Sequence, residues 1–169
     1  MRTRESLRIV FNASPIIVLS KLGLLERALS LFSEVEIPRG VLEEVGRKRD
    51  EVYQELTRLI AEGRIRVEEV EKRLPRLGLG EASAIILALA KNKIVVLDDR
   101  RARRLARELG LEVMGTLSIL KKLYEEGALA GTLNTVYRRL TDIGFYVDKK
   151  LFDKIFEEEQ HAGYTTTGH

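Results

Sequence analysis

Five polar positions in the first hundred residues have the types and spacing that chemistry would need. They are Asn12 in IVFNASP, Glu44 in IPRGVLEEV, Glu81 in GLGEASAIILALA, and the adjacent Asp98 and Asp99 in IVVLDDRRAR. Asn12 and the aspartate pair directly follow apolar runs that read as buried strands, whereas Glu44 and Glu81 sit on helical patterns. In an open α/β sheet, groups just past the strand ends meet in one crevice, where ligands bind. Carboxylates that converge without basic partners repel one another and are tolerable mainly around a hard cation. The first reading is therefore a site for a divalent ion such as Mg²⁺ or Mn²⁺.

Each position also has an ordinary use. Aspartate between a strand and a helix is most often an N-cap, but a cap needs one aspartate, not two. Glu81 suits a helix N-terminus, although its helix is apolar almost all round and would partly desolvate it. Glu44 lies nearer the apolar edge of its helix than Glu43, yet alone it reads as a surface residue. Asn12 alone reads as a turn residue or a cap. Arg100, Arg103, Arg104 and Arg107 share one helical face beginning beside the aspartates. Such a ridge would bind a phosphodiester backbone; a solvated, charge-rich helix is the alternative.

Composition removes competing chemistries. There is no cysteine, and the two histidines, His161 and His169, both lie in the terminal stretch HAGYTTTGH. Thiol nucleophiles, Cys-based zinc sites and imidazole acid–base pairs are thereby excluded from the folded body. A hydrolase built from what remains would use carboxylates and metals. The chain of 169 residues, 44% hydrophobic, suits one globular domain. Its longest apolar run, Ala84 to Ala90, is too short to span a bilayer. The opening residues carry no signal-peptide pattern, so a cytoplasmic location is expected. Charged residues make up 33%, and glutamine and asparagine are scarce, as in thermophile proteins. That origin would explain the arginines as well as a nucleic-acid partner would, and a net charge of +3 does not separate the two.

The elements that must position these residues follow from periodicity. Strands are predicted at Leu7–Phe11, Val35–Ile37, Ile65–Val70, Ile94–Leu97 and Leu111–Met114. Helices are predicted at Ile16–Leu31 with a break near Gly23, Arg39–Lys48, Glu51–Glu62, Gly80–Lys91, Arg100–Leu109 and Thr116–Glu126. Two more follow at Thr132–Thr141 and Asp148–Glu158. Ser14-Pro15 reads as the start of the first helix, with Ser14 as N-cap. Alternating strands and helices imply an α/β fold, a mainly parallel central sheet flanked by helices. Residues 1–130 would form the domain, 131–159 a C-terminal helical extension of it, and 160–169 a disordered tail.

Taken together, VFNASPIIVLSKLGLL, IPRGVLEEV, LGLGEASAIILALA, VVLDDRRARRLARELGLEVMGTLSILKKLYEEG and LTDIGFYVDKKLFDKIFEE resemble the PIN-domain nucleases. The branch they look closest to contains the VapC-like toxins of toxin–antitoxin systems. The resemblance implies a three-layer PIN-like fold and a metal-dependent endoribonuclease, with Mg²⁺ or Mn²⁺ as cofactor. Its implied metal ligands are Asn12, Glu44, Glu81 and Asp99, and its catalytic carboxylates Glu44, Glu81, Asp98 and Asp99. Ser14 falls where the family often has a hydroxyl. Implied partners are RNA, an antitoxin and a second copy of the chain. The departure is Asn12, where most PIN nucleases have Asp; an amide oxygen brings no charge to a cation. A non-catalytic RNA- or protein-binding module therefore stays open as the alternative. A flavodoxin-type phosphate binder is a third, disfavoured for want of a glycine-rich phosphate loop.

Overall fold

The computed structural model describes residues 7–70 and 79–157. By packing, the chain divides into Met1–Thr116 and Leu117–His169. The tail expected at 160–169, with both histidines, lies outside the described residues.

In the first unit, β1 (Arg8–Phe11), β2 (Glu34–Pro38), β3 (Arg66–Glu68), β4 (Ile94–Val96) and β5 (Val113–Met114) form one sheet in the order β3-β2-β1-β4-β5. Every neighbouring pair is parallel, as the strand–helix alternation predicts. Ile9, Val10 and Phe11 of β1 and Val95 and Val96 of β4 are fully buried. That is the reason central strands read as unbroken apolar runs. The outer strands β3 and β5 are short and only partly buried. Ile65–Val70 contracts to β3, which ends at Glu68 because its partner β2 ends at Pro38, where the chain turns into the helix that begins at Arg39.

Helices α1 (Ala13–Lys21) and α2 (Leu25–Leu29) join β1 to β2, and α3 (Arg39–Gly46) and α4 (Glu51–Ala61) join β2 to β3. Helix α5 (Leu79–Lys91) precedes β4, and α6 (Arg100–Glu108) joins β4 to β5. The expected break near Gly23 is present, at φ 72°. The expected cap is not. Asn12, with extended backbone, occupies the N-cap position of α1, and Ser14 is already helical. The sheet sets this start, because the Asn12 N–H still reaches the Val96 carbonyl at 3.1 Å. Pro15 then falls inside the first turn, where its missing N–H costs no helical bond. Helices α5 and α6 pack on the central strands through Ala84, Ala88, Ala102 and Ala106, with Val10, Ile85, Val95 and Leu97 in the same cluster. Their small side chains allow the helices close to the sheet.

Among the described residues two charged groups, Glu36 and Lys93, interrupt this apolar interior. Glu36 of β2 is fully buried. Lys93 Nζ lies 2.7 Å from its Oε1 and Lys91 Nζ 3.0 Å from its Oε2. Lys91 also reaches Glu68 at 3.1 Å, Lys93 reaches Glu34 at 3.3 Å, and Arg66 pairs with Glu34 and approaches Glu36 at 3.5 Å. Burial works to raise the Glu36 carboxyl pKa, but hydrogen bonds and charge from Lys93 and Lys91 outweigh it and hold it below its usual value.

The second unit takes in α7 (Thr116–Glu125) from its second residue, α8 (Leu133–Asp142) and α9, residues 149–157. An aromatic chain holds it together: Tyr137 to Phe152 at 5.2 Å between ring centres, Phe152 to Phe156 at 4.6 Å, and Phe156 to Tyr124 at 5.6 Å. The Tyr137 hydroxyl donates to the Val147 carbonyl at 2.9 Å, which gives the ring's polar end a partner. Thr132 caps α8, and Asp148 Oδ1 accepts from the Lys150 and Leu151 N–H groups at the start of α9.

Candidate functional site

The strand order reverses between β1 and β4, so those two strands open a crevice at their carboxyl ends. Asn12 follows β1 directly, and Asp98 follows β4 after one residue. The crevice therefore lies between the two positions at which the sequence changes from apolar to polar.

Asn12 is only 5% exposed, and its Oδ1 is buried without a hydrogen-bond partner. It sits at an N-cap position yet its side chain makes no cap bond. An unsatisfied buried acceptor costs about 1–3 kcal/mol, so this oxygen is held ready for a donor or a cation.

The aspartate pair divides its work. Asp99 is the exposed N-cap of α6, its Oδ2 accepting from the Ala102 N–H at 3.0 Å. Asp98, half-buried, turns toward the end of β5 instead. Its Oδ1 accepts from the Thr116 N–H at 2.8 Å and its Oδ2 from the Thr116 hydroxyl at 2.6 Å. The Ser14 hydroxyl lies at 3.5 Å from the same Oδ2, a weak contact across the crevice. Thr116 is fully buried, so the Asp98 carboxylate is fixed by two short bonds from a rigid residue.

Two neighbours complete this centre. A Cβ on Gly115 would stand 3.1 Å from Arg103 Nη1 and 3.4 Å from Asp98 Oδ1, so the glycine leaves room between a cation and an anion. Arg103 is half-buried, and its Nε is buried without a partner. Burial pushes its guanidinium pKa below the usual value, Arg107 adds to this, and the Asp98 charge only partly opposes them. The expected ridge thus splits: Arg100, Arg104 and Arg107 are exposed, while Arg103 faces the site.

Glu81 and Glu44 belong to the helices flanking the same edge. Helix α5 runs back toward the start of β4, which puts its first turn and Glu81 at the carboxyl side of the sheet. Glu81 is half-buried and already engages a neighbouring group. Helix α3 leaves the end of β2, and Gly40 in its first turn packs near Ser83 of α5. Glu44, one turn on, is exposed. Among the described residues no three carboxylate, imidazole or thiol groups form a ready-made cation cage. The groups brought into contact are Ser14, Asp98, Arg103, Gly115 and Thr116, with Asn12 at the neighbouring end of β1. Thr116 and Gly115 carry a sequence signal that periodicity alone passes over: Gly-Thr directly after a strand, at the same sheet edge as Asp98. For Arg103 the signal is its place beside Ala102 and Ala106, the buried stripe of α6.

The donor types suit a hard cation: a neutral amide oxygen with no other partner and a fixed carboxylate. Mg²⁺ in particular keeps several waters and binds through one or two carboxylates plus substrate phosphates, so a closed protein cage is not required.

A sequence model described as the PIN domain matches residues 8–161. Among proteins with curated descriptions, none matches. Two solved structures are similar. One is a PilT N-terminus domain protein from the hyperthermophilic archaeon Sulfolobus solfataricus P2, with 15% identity, a TM-score of 0.48, and 75% of this chain and 97% of that chain covered. The other is a domain of a functionally unknown protein from Methanocaldococcus jannaschii DSM 2661, with 22% identity, a TM-score of 0.48, and 65% and 91% covered. With the family match running from β1 to beyond α9, the chain belongs to the PIN-domain family, whose fold is in general that of nucleases.

Proposed function

We propose that this PIN domain is a metal-dependent endoribonuclease, the toxin of a toxin–antitoxin pair from the branch close to VapC-like proteins. The observation that supports the reading is the partnerless Asn12 oxygen at the carboxyl end of β1, next to β4, the strand that Asp98 follows. Asn12 and Asp98 would hold Mg²⁺ or Mn²⁺, with Glu81 and Glu44 as further carboxylates and Asp99 contributing the oxygen its cap leaves over. A bound ion would supply a nucleophilic water at neutral pH and neutralise charge on the phosphate. Thr116 fixes the orientation of Asp98, and Ser14 steadies its outer oxygen. Exposed Arg100, Arg104 and Arg107 would track the RNA backbone.

The test is cleavage of single-stranded RNA with Mg²⁺ or Mn²⁺ titrated in. Metal-dependent products that vanish in Asp98→Asn support the reading. No products at any metal concentration would favour the second reading, a binding module, which the neutral Asn12 and the lack of a three-carboxylate cage among the described residues both favour. The toxin role further predicts a homodimer and a DNA-binding antitoxin encoded next door. A monomer by light scattering at micromolar concentration would remove the dimer from the proposal. Among the described residues no helix is long and apolar enough to cross a membrane, which accords with the proposed cytoplasmic setting.

A further inference from the structure

We propose that Arg103 is the phosphate-binding group of this site, holding a nonbridging oxygen of an RNA phosphodiester, with Gly115 leaving room for its guanidinium beside Asp98. The proposal rests on the RNA reading above and names the residues that would recognise the scissile group.

Three features support it. Arg103 lies against the buried stripe of α6, beside Ala102 and Ala106, whereas Arg100, Arg104 and Arg107 point to water. Its Nε has no partner, which is costly for a buried donor on a charged group. Asp98 is close enough for its charge to favour the Arg103 cation, but among the described residues no hydrogen bond or ion pair joins the two, so the Nε need is not met there. Gly115, moreover, is not one of the glycines with positive φ, so no backbone strain calls for it. What it provides is space: a Cβ would crowd Arg103 Nη1 at 3.1 Å and Asp98 Oδ1 at 3.4 Å. A planar guanidinium whose Nε–H has no partner and whose Nη1 stands beside Gly115 suits the two-pronged recognition of a phosphate. It would also offset the repulsion that Asp98 exerts on an incoming anion.

The experiment measures binding of a labelled single-stranded RNA decamer in EDTA, so that no cleavage intervenes, together with thermal melting. Arg103→Gln should weaken binding about tenfold and lower the salt slope by about one. Its melting temperature should equal or exceed that of the parent, because a partly desolvated charge is removed. Gly115→Ala should weaken binding comparably while keeping the charge, and Arg104→Gln should have a clearly smaller effect. The proposal is overturned if the parent does not bind the RNA, if Arg103→Gln binds like the parent, or if Arg103→Gln loses both binding and stability. Failure of the nuclease reading looks different. Binding would then depend on Arg103 and Gly115 although neither Mg²⁺ nor Mn²⁺ yields cleavage. Conversely, cleavage untouched by both substitutions would sink the role of Arg103 and leave the nuclease standing.

Discussion

At the scale of single residues, the site depends on how two adjacent aspartates are held. Asp98 is bound twice by Thr116, while Asp99 caps α6. Asp98→Asn should abolish metal-dependent RNA cleavage with little loss of stability, since an amide oxygen can still accept from Thr116. Asp99→Ala should do the reverse. Loss of the cap costs about 1 kcal/mol, which lowers the melting temperature by roughly 2–4 °C in a chain of this size. Calorimetry and a cleavage assay on the two variants would separate the roles, and equal effects in both assays would contradict the division. Asn12 offers a third test. Asn12→Asp adds a charge where only an amide oxygen stands, and should tighten Mn²⁺ binding about tenfold, or ~1.4 kcal/mol. Isothermal titration would show it, and unchanged affinity would remove Asn12 from the ligand set. The types of these residues are legible in the sequence because polar residues that end apolar strands stand out. Which of two neighbouring carboxylates turns inward is not legible, because it depends on Thr116, eighteen positions away in the chain and beside Asp98 only once β4 and β5 pair.

At the scale of elements, the sheet is readable in advance because buried parallel strands leave continuous apolar runs. What shifts is the ends. The first helix begins at Ala13 rather than after Ser14, since the β1–β4 ladder reaches Asn12 before the helix can start. Helix α6 shows a different limit of pattern reading. Its arginines recur at helical spacing, but only the packing of Ala102 and Ala106 against the sheet decides that Arg103 lies at the buried edge. Thr116 stands where β5 gives way to α7, and there its hydroxyl is committed to Asp98. Thr116→Val should leave α7 intact by circular dichroism while reducing cleavage, with a fall of about tenfold for one lost charge-assisted hydrogen bond. Undiminished cleavage would mean that Asp98 needs no such support.

For the whole molecule, pH dependence should report the buried charges around Glu36. Its folded pKa is depressed, chiefly by Lys93 and Lys91 acting against burial. The stabilisation is therefore present above the unfolded carboxylate value and is lost as pH falls through the lower, folded one. Lys91 titrates in the opposite sense. Its pKa is raised because contacts with Glu36 and Glu68 exceed the effect of burial, so its contribution holds below the ordinary lysine value and fades as pH climbs through the folded one. Glu36→Gln should flatten the acid limb of a stability–pH profile. It should also cost roughly 3 kcal/mol near neutrality, because Lys93 would stay buried without its closest anion. A profile identical to that of the parent would show that the cluster contributes nothing net.

The ion cluster of Glu34, Glu36, Arg66, Glu68, Lys91 and Lys93 shares no member with the crevice group of Asn12, Ser14, Asp98, Arg103, Gly115 and Thr116. On the proposed reading, durability and chemistry are encoded in separate sets of positions, and selection can alter one while sparing the other. Descendants of such a chain could abandon catalysis by drift at Asn12 or Asp98 and survive as sturdy binding proteins. Saturation mutagenesis scored in parallel for cellular abundance and for RNA cleavage should then yield two maps with little overlap. Abundance would fall at the ion cluster and the apolar strands, and cleavage alone would fall at Asn12 and Asp98.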